Sequence, residues 1–187
     1  MACIGARRVS GGLPDAALRV VDGIALYNGP LALFRPRHQH DDALVSRVAT
    51  MVDDLAGPQT KVHAPLGAGR HVDHQIVRDA VESRAHLRER VVWYEDFPYS
   101  LRSADVANLE PAWEPVEVEP WLEASLCYAS QIPLLFGSAR SLIDALLQRA
   151  SSHGRESGLV YAARVWSRPL RREQSLGLGA SARRGAL

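Results

Sequence analysis

Apolar positions along this chain fall into runs of different period, and each period predicts a different element. Leu44, Val45, Val48, Met51, Val52 and Leu55 recur at three- and four-residue intervals, the stripe of an amphipathic helix. Asp41 or Asp42 can cap its start, and Gly57-Pro58 ends it. Val62 to Leu66 is a short unbroken apolar run, read as a strand entering a turn at Gly67 and Gly69, where positive φ is cheap. Ile76, Val77, Ala80 and Val81 return to helical spacing, in a helix expected to reach nearly to Arg90. Val91 to Tyr94 has the composition of a buried strand, stopped by Glu95, Asp96 and Pro98.

The second half continues the alternation. Asn108 to Pro120, with Pro111, Pro115 and Pro120 around Trp113, reads as an extended loop able to wall a pocket. Trp121 to Leu135 and Ser138 to Arg149 read as helices, and Leu159 to Trp166 as a strand or a docking tail. Ahead of all this, Met1 to Val9 reads as a helix end or a strand, broken by Gly11 and Gly12. Leu13 to Leu18 is expected to form a compact apolar patch carrying Asp15, followed by a turn at Asp22-Gly23. Ile24 to His40 has a loop composition with Tyr27 and Phe34 as aromatic anchors. Strands alternating with helices point to an α/β fold.

Composition narrows the picture little. At 187 residues the chain suffices for one domain with a substantial core, and a net charge of +1 gives no overall pull toward nucleic acid or membrane. Positive charge comes almost wholly from Arg, with Lys61 the single lysine. Cys3 and Cys127 have no metal-site spacing; Cys127, in a helical apolar context, is expected to be a buried thiol. With no disulfide framework, no run of membrane-spanning length and no signal-peptide centre at the start, the expected location is the cytoplasm. From Ser167 onward the composition turns to Arg, Gly, Ser and Ala. Residues 170–187 are therefore expected to be a disordered basic tail, whose Arg171-Arg172 and Arg183-Arg184 pairs could meet an anion.

Candidate chemistry gathers at His71-Val72-Asp73-His74, between a strand's carboxyl end and a helix's first turn. Open α/β sheets place their ligands at such junctions. His71 and His74, three apart, share a side once the helix has begun. Neutral imidazole is the commonest metal ligand and a neighbouring carboxylate can fix its tautomer. The same letters also suit a plain polar helix start, with Asp73 favoured by the helix dipole.

The run HAPLGAGRHVDHQIVRDAV, then VVWYEDFPYS at Val91 to Ser100, resembles the second half of a PIG-L-type deacetylase. GLPDA at Gly12 to Ala16 and YASQIPLLFG at Tyr128 to Gly137 match in the same order, so the resemblance spans roughly Gly5 to Trp166. It implies a Rossmann-like three-layer α/β/α sandwich and a zinc-dependent hydrolase that removes acetyl from an N-acetylated sugar or sugar-containing metabolite. It implies His74 as a zinc ligand, His71 as oxyanion stabiliser or acid, and Asp73 as a carboxylate that orients an imidazole. Asp15 and Asp96 become candidate substrate contacts, with Glu95 beside them; Tyr128, Ser130 and Gln131 are expected in packing and capping roles. Partners would be small acetylated substrates, with no nucleic acid and no membrane.

The chain also departs from that family. No H-P-D-D follows a first strand, so residues 1–169 read as a deacetylase domain lacking its first strand-helix unit and the metal ligands carried there. His38-Gln39-His40-Asp41-Asp42 has similar letters, but it sits where the family has a loop and a helix start. One matched ligand is too few for zinc, which leaves two expectations. The chain is either a metal-dependent N-deacetylase or an inactive remnant keeping the scaffold or a sugar-binding crevice. A third reading, a binder of anionic partners through the Arg tail, rests on composition.

Overall fold

Helix α1 forms where the apolar stripe predicts it, at Asp42–Leu55, and the computed structural model of the chain describes residues 7–99 and 106–169 around it. The stripe packs onto α2, Val72–Glu82, and Val52 and Val77 meet over one face of a sheet. That sheet holds β3 (Val62–Pro65), β4 (Val91–Tyr94), β5 (Glu110–Pro115) and β6 (Ala162–Ser167), in the order β3-β4-β6-β5. β3 and β4 are parallel, as a crossover through a helix requires, while β6 runs antiparallel to both β4 and β5. Ala64, Leu66, Val91 and Trp93 bury into the α2 side with Val81 and Leu87, and this cluster is the main core.

Successive residues of a strand face opposite ways. Tyr94 and Val165, partners in register, therefore face a second layer built of α3 (Val118–Leu126), α4 (Ile132–Phe136) and α5 (Ala139–Ser157). α5 packs on β6 and β5, and Leu142 and Leu146 join Ile132, Trp121 and Phe97 in a second cluster. The molecule is thus a mixed α/β fold, a sheet flanked by helices, as the alternation of elements implied. A small hairpin, β1 (Val20–Val21) and β2 (Ile24–Ala25), precedes it. Its turn is the expected Asp22-Gly23, with φ of 50° and 77°, the positive pair that a two-residue hairpin turn requires.

Several expectations need correcting. Residues 110–115 form a strand, not a loop. β5 lies at the sheet edge, where Pro111 and Pro115 can each lack a donor without breaking the ladder. α2 stops at Glu82, well short of Arg90, and a separate 3-10 turn at Ala85–Leu87 drives Leu87 into the core. The helix expected over Trp121 to Leu135 is interrupted between Leu126 and Ile132, and α5 runs eight residues past Arg149. Cys127 is exposed at the end of α3, not buried. Leu18 is largely exposed too, leaving Ala16 as the buried member of the expected patch. Cys3 and the basic tail from Leu170 lie outside the described residues, and of the opening segment Arg7 to Val9 has no regular structure.

Candidate functional site

The site forms where β3 ends. Gly67 and Gly69 both take φ of 76° and bend the chain into the start of α2. Gly69 is needed for a second reason: a Cβ there would lie 2.4 Å from Tyr99 Cβ, so the bend fits beneath Tyr99 for lack of a side chain. His71 is then the N-cap of α2, its Nδ1 accepting from the Asp73 N–H at 3.3 Å. One turn on, His74 presents its ring to the same side, with the two ring centroids 5.1 Å apart. Phe34 packs edge-on to His71 at 5.5 Å, and Tyr99 lies 5.9 Å from His74 and 6.4 Å from His71.

Asp96, just past β4, completes the arrangement. Its Oδ1 lies 2.7 Å from His74 Nδ1, and its Oδ2 accepts from the Ala68 N–H at 2.8 Å. The carboxylate is fully buried, and Asp96 Oδ1 and His74 Nδ1, though 2.7 Å apart, make no well-aligned hydrogen bond to each other or to any other group among the described residues. A carboxylate this close to Nδ1 favours the tautomer that carries its proton there, with the lone pair on Nε2. His71 has the opposite tautomer, because its Nδ1 is an acceptor and its proton sits on Nε2. Burial, and secondarily His74, push the His71 pKa below its ordinary range, keeping this ring a neutral donor. One imidazole offers a lone pair and its neighbour offers an N–H.

The expected site residues thus divide. His71, His74 and Asp96 are brought together. Asp96, expected to touch substrate, lines the cleft and is buried against His74, the position beside an imidazole expected for Asp73. Asp73 turns away: its Oδ2 accepts from the Ala16 N–H at 3.2 Å and its Oδ1 pairs with Arg19. Asp15 is exposed and caps a 3-10 turn by accepting from the Ala17 N–H, yet it stands near enough to favour charge on His71. The His38-to-Asp42 segment does not join the site. His38 and His40 stack on each other in solvent, and Asp41 is buried against Arg19 and Tyr27.

Beyond His74 and Asp96 a cleft of about 670 Å³ opens between the sheet and α3–α5. Its walls are mainly apolar, with Phe97, Trp121 and Leu135 among them; Tyr128 stands exposed along it instead of packing, and Gln131, also exposed, takes the expected cap position at the start of α4 without a side-chain bond. Glu95 seals one side. Its side chain, 3% exposed, accepts from Arg164 Nε at 2.6 Å and Trp166 Nε1 at 3.0 Å and also pairs with Arg149. Sequence reasoning missed Arg19, Tyr99 and Arg149. Tyr99 could have been found as the aromatic closing the YEDFPY run; the arginines had no local signal.

No protein-family model matches the chain, and no curated protein matches it. Solved structures do. The zinc-inhibited form of teicoplanin deacetylase Orf2 aligns at 24% identity and a TM-score of 0.60, over 79% of this chain and 62% of that one. A deacetylase–bog complex from the teicoplanin biosynthesis pathway aligns at 25% and 0.62, over 81% and 62%. The A40926 pseudoaglycone deacetylase Dbv21 aligns at 24% and 0.54, over 70% and 58%. The chain shares their fold and spans less than two thirds of the length of each.

Proposed function

We propose that this chain serves hydrolysis of an N-acetyl group on a sugar-containing small molecule, with His71 and His74 as its working pair. The observation that carries the reading is a pair of imidazoles 5.1 Å apart, His74 on the cleft with its Nδ1 2.7 Å from a buried carboxylate and His71 with its Nδ1 accepting from the Asp73 N–H. The fold is shared with deacetylases, which supplies the reaction class. The His71 Nε2–H is suited to the amide carbonyl oxygen, a bond that strengthens as negative charge builds there in the tetrahedral state. Asp96 lies against the His74 ring, and the half-buried rings of Phe34 and Tyr99 border the two imidazoles.

A metal belongs to the reading, since one of the fold relatives is described in a zinc-inhibited form. A catalytic zinc takes three protein ligands and keeps one position for water, which it acidifies to a pKa of about 7. His74 Nε2 is the donor this chain offers. Among the described residues no group of three or more His, Cys, Asp or Glu is placed to hold a metal, so these residues do not complete such a site. The second reading is an inactive scaffold that keeps the cleft. Zinc content of the purified chain, with acetate release from an N-acetylglucosaminide, separates the two. One equivalent of zinc, lost together with acetate release in His74→Ala, supports the enzyme; substoichiometric zinc and no acetate support the scaffold.

A further inference from the structure

Arg19 lies outside every motif, yet it is 5% exposed, and a buried guanidinium needs partners. It has two. Its NH1 lies 2.6 Å from Asp41 Oδ2, and its NH2 pairs with Asp73 Oδ1. Asp41 is 1% exposed and also accepts from the Tyr27 hydroxyl at 2.5 Å, while that oxygen accepts from the His38 N–H at 2.8 Å. The Arg19 guanidinium stacks over the Tyr27 ring at 5.4 Å. On the far side, Asp73 accepts from the Ala16 N–H, and Ala16 and Tyr27 pack with Val72 in a cluster of their own. Three segments therefore converge on one cation: the turn before β1, the start of α1, and the first turn of α2.

We propose that Arg19 is a positioning residue, a clamp that ties Asp73 to Asp41 and so fixes the helix start from which His71 and His74 project. A fork with donors on both arms can grip two carboxylates in a set geometry; the point charge of a lysine cannot. Two carboxylates face one guanidinium, so neither is free to swing onto an imidazole, and Asp96 keeps His74 to itself. The significance for hydrolysis rests on the deacetylase reading, but the clamp itself does not.

The test uses amide hydrogen exchange on the full chain. The Ala16 N–H is held by Asp73, and the Gln75 N–H by the His71 carbonyl, so both report on the clamp. Arg19→Met should speed exchange at Ala16 and Gln75 about tenfold through local opening, with β4 and β6 within twofold of wild type. Arg19→Lys should restore protection only in part. Removing Arg19 strands a buried Asp41, so Arg19→Met/Asp41→Asn provides a variant without that buried charge and should show the same local signature. Uniform acceleration across the sheet, or unchanged exchange at both reporters, overturns the clamp. If wild type releases acetate, Arg19→Met should lower kcat about tenfold with KM within twofold; an equal kcat overturns the positioning role. A wild type without activity sinks the deacetylase reading instead, and the exchange data still decide on Arg19.

Discussion

Asp96 shows how much one buried side chain decides. A carboxylate sealed from water must be matched, and here a backbone N–H bonds one oxygen while the His74 ring lies 2.7 Å from the other. Asp96→Asn keeps the shape but removes the charge that favours a proton on His74 Nδ1. Stability should fall by about 1–3 kcal/mol in urea denaturation, and any acetate release should fall with it. Gly69 is the other residue with no room for change. Gly69→Ala would force a Cβ against Tyr99 at a backbone φ of 76°, and denaturant midpoints should report a loss of about 1–3 kcal/mol. Gly67, equally left-handed, meets just the Arg78 side chain at 3.4 Å, so its alanine variant should lose less.

Among elements, α5 and β6 are joined by contacts that composition does not announce. Gly154 lies against the backbone of Leu159 and Val160, where a Cβ would stand 2.5 Å from the Val160 carbonyl oxygen. The helix can turn back into β6 because it narrows there. Glu95 then fastens β4 to both elements, taking Arg149 from α5 and Arg164 and Trp166 from β6. Glu95→Gln would leave two arginines facing a neutral amide in a partly dry place. Loss of a buried ionic partner should cost about 3–5 kcal/mol, measured by urea denaturation. The edge strand β5 illustrates the reverse case. Its prolines look like loop residues, yet an edge strand needs donors on one side alone, and pairing with β6 supplies the rest.

Over the whole molecule, acid is the expected weakness. Burial lowers the pKa of both His71 and His153 below the ordinary 6.5, so the unfolded chain takes up protons that the folded chain resists. The stability these neutral rings contribute is fully present above pH 6.5 and is lost as pH falls below it. Melting temperatures should drop between pH 7.5 and pH 5.5. The His153→Gln variant should show a shallower drop, since it lacks one of the two buried rings that resist protonation. A drop of the same slope in the variant would remove His153 from the account. No helix among the described residues is long and apolar enough to cross a membrane.

The order of elements from α1 to β4 was legible in the sequence because burial imposes a period on it. The stripe from Leu44 to Leu55, the runs at Val62 and Val91 and the Asp22-Gly23 turn each encode their own element locally. The His71 and His74 pair was legible for the same reason, being one helical turn apart. What stayed hidden was every choice made between segments distant in the chain. Asp73 and Asp96 are equally acidic letters near the same histidines, and nothing local says which one reaches an imidazole. Tertiary structure decides it: Arg19, 54 positions before Asp73, occupies Asp73, so the carboxylate at the end of β4 takes His74. Periodicity reports which face is dry, whereas the pairing of buried charges depends on which chain segments the fold brings together.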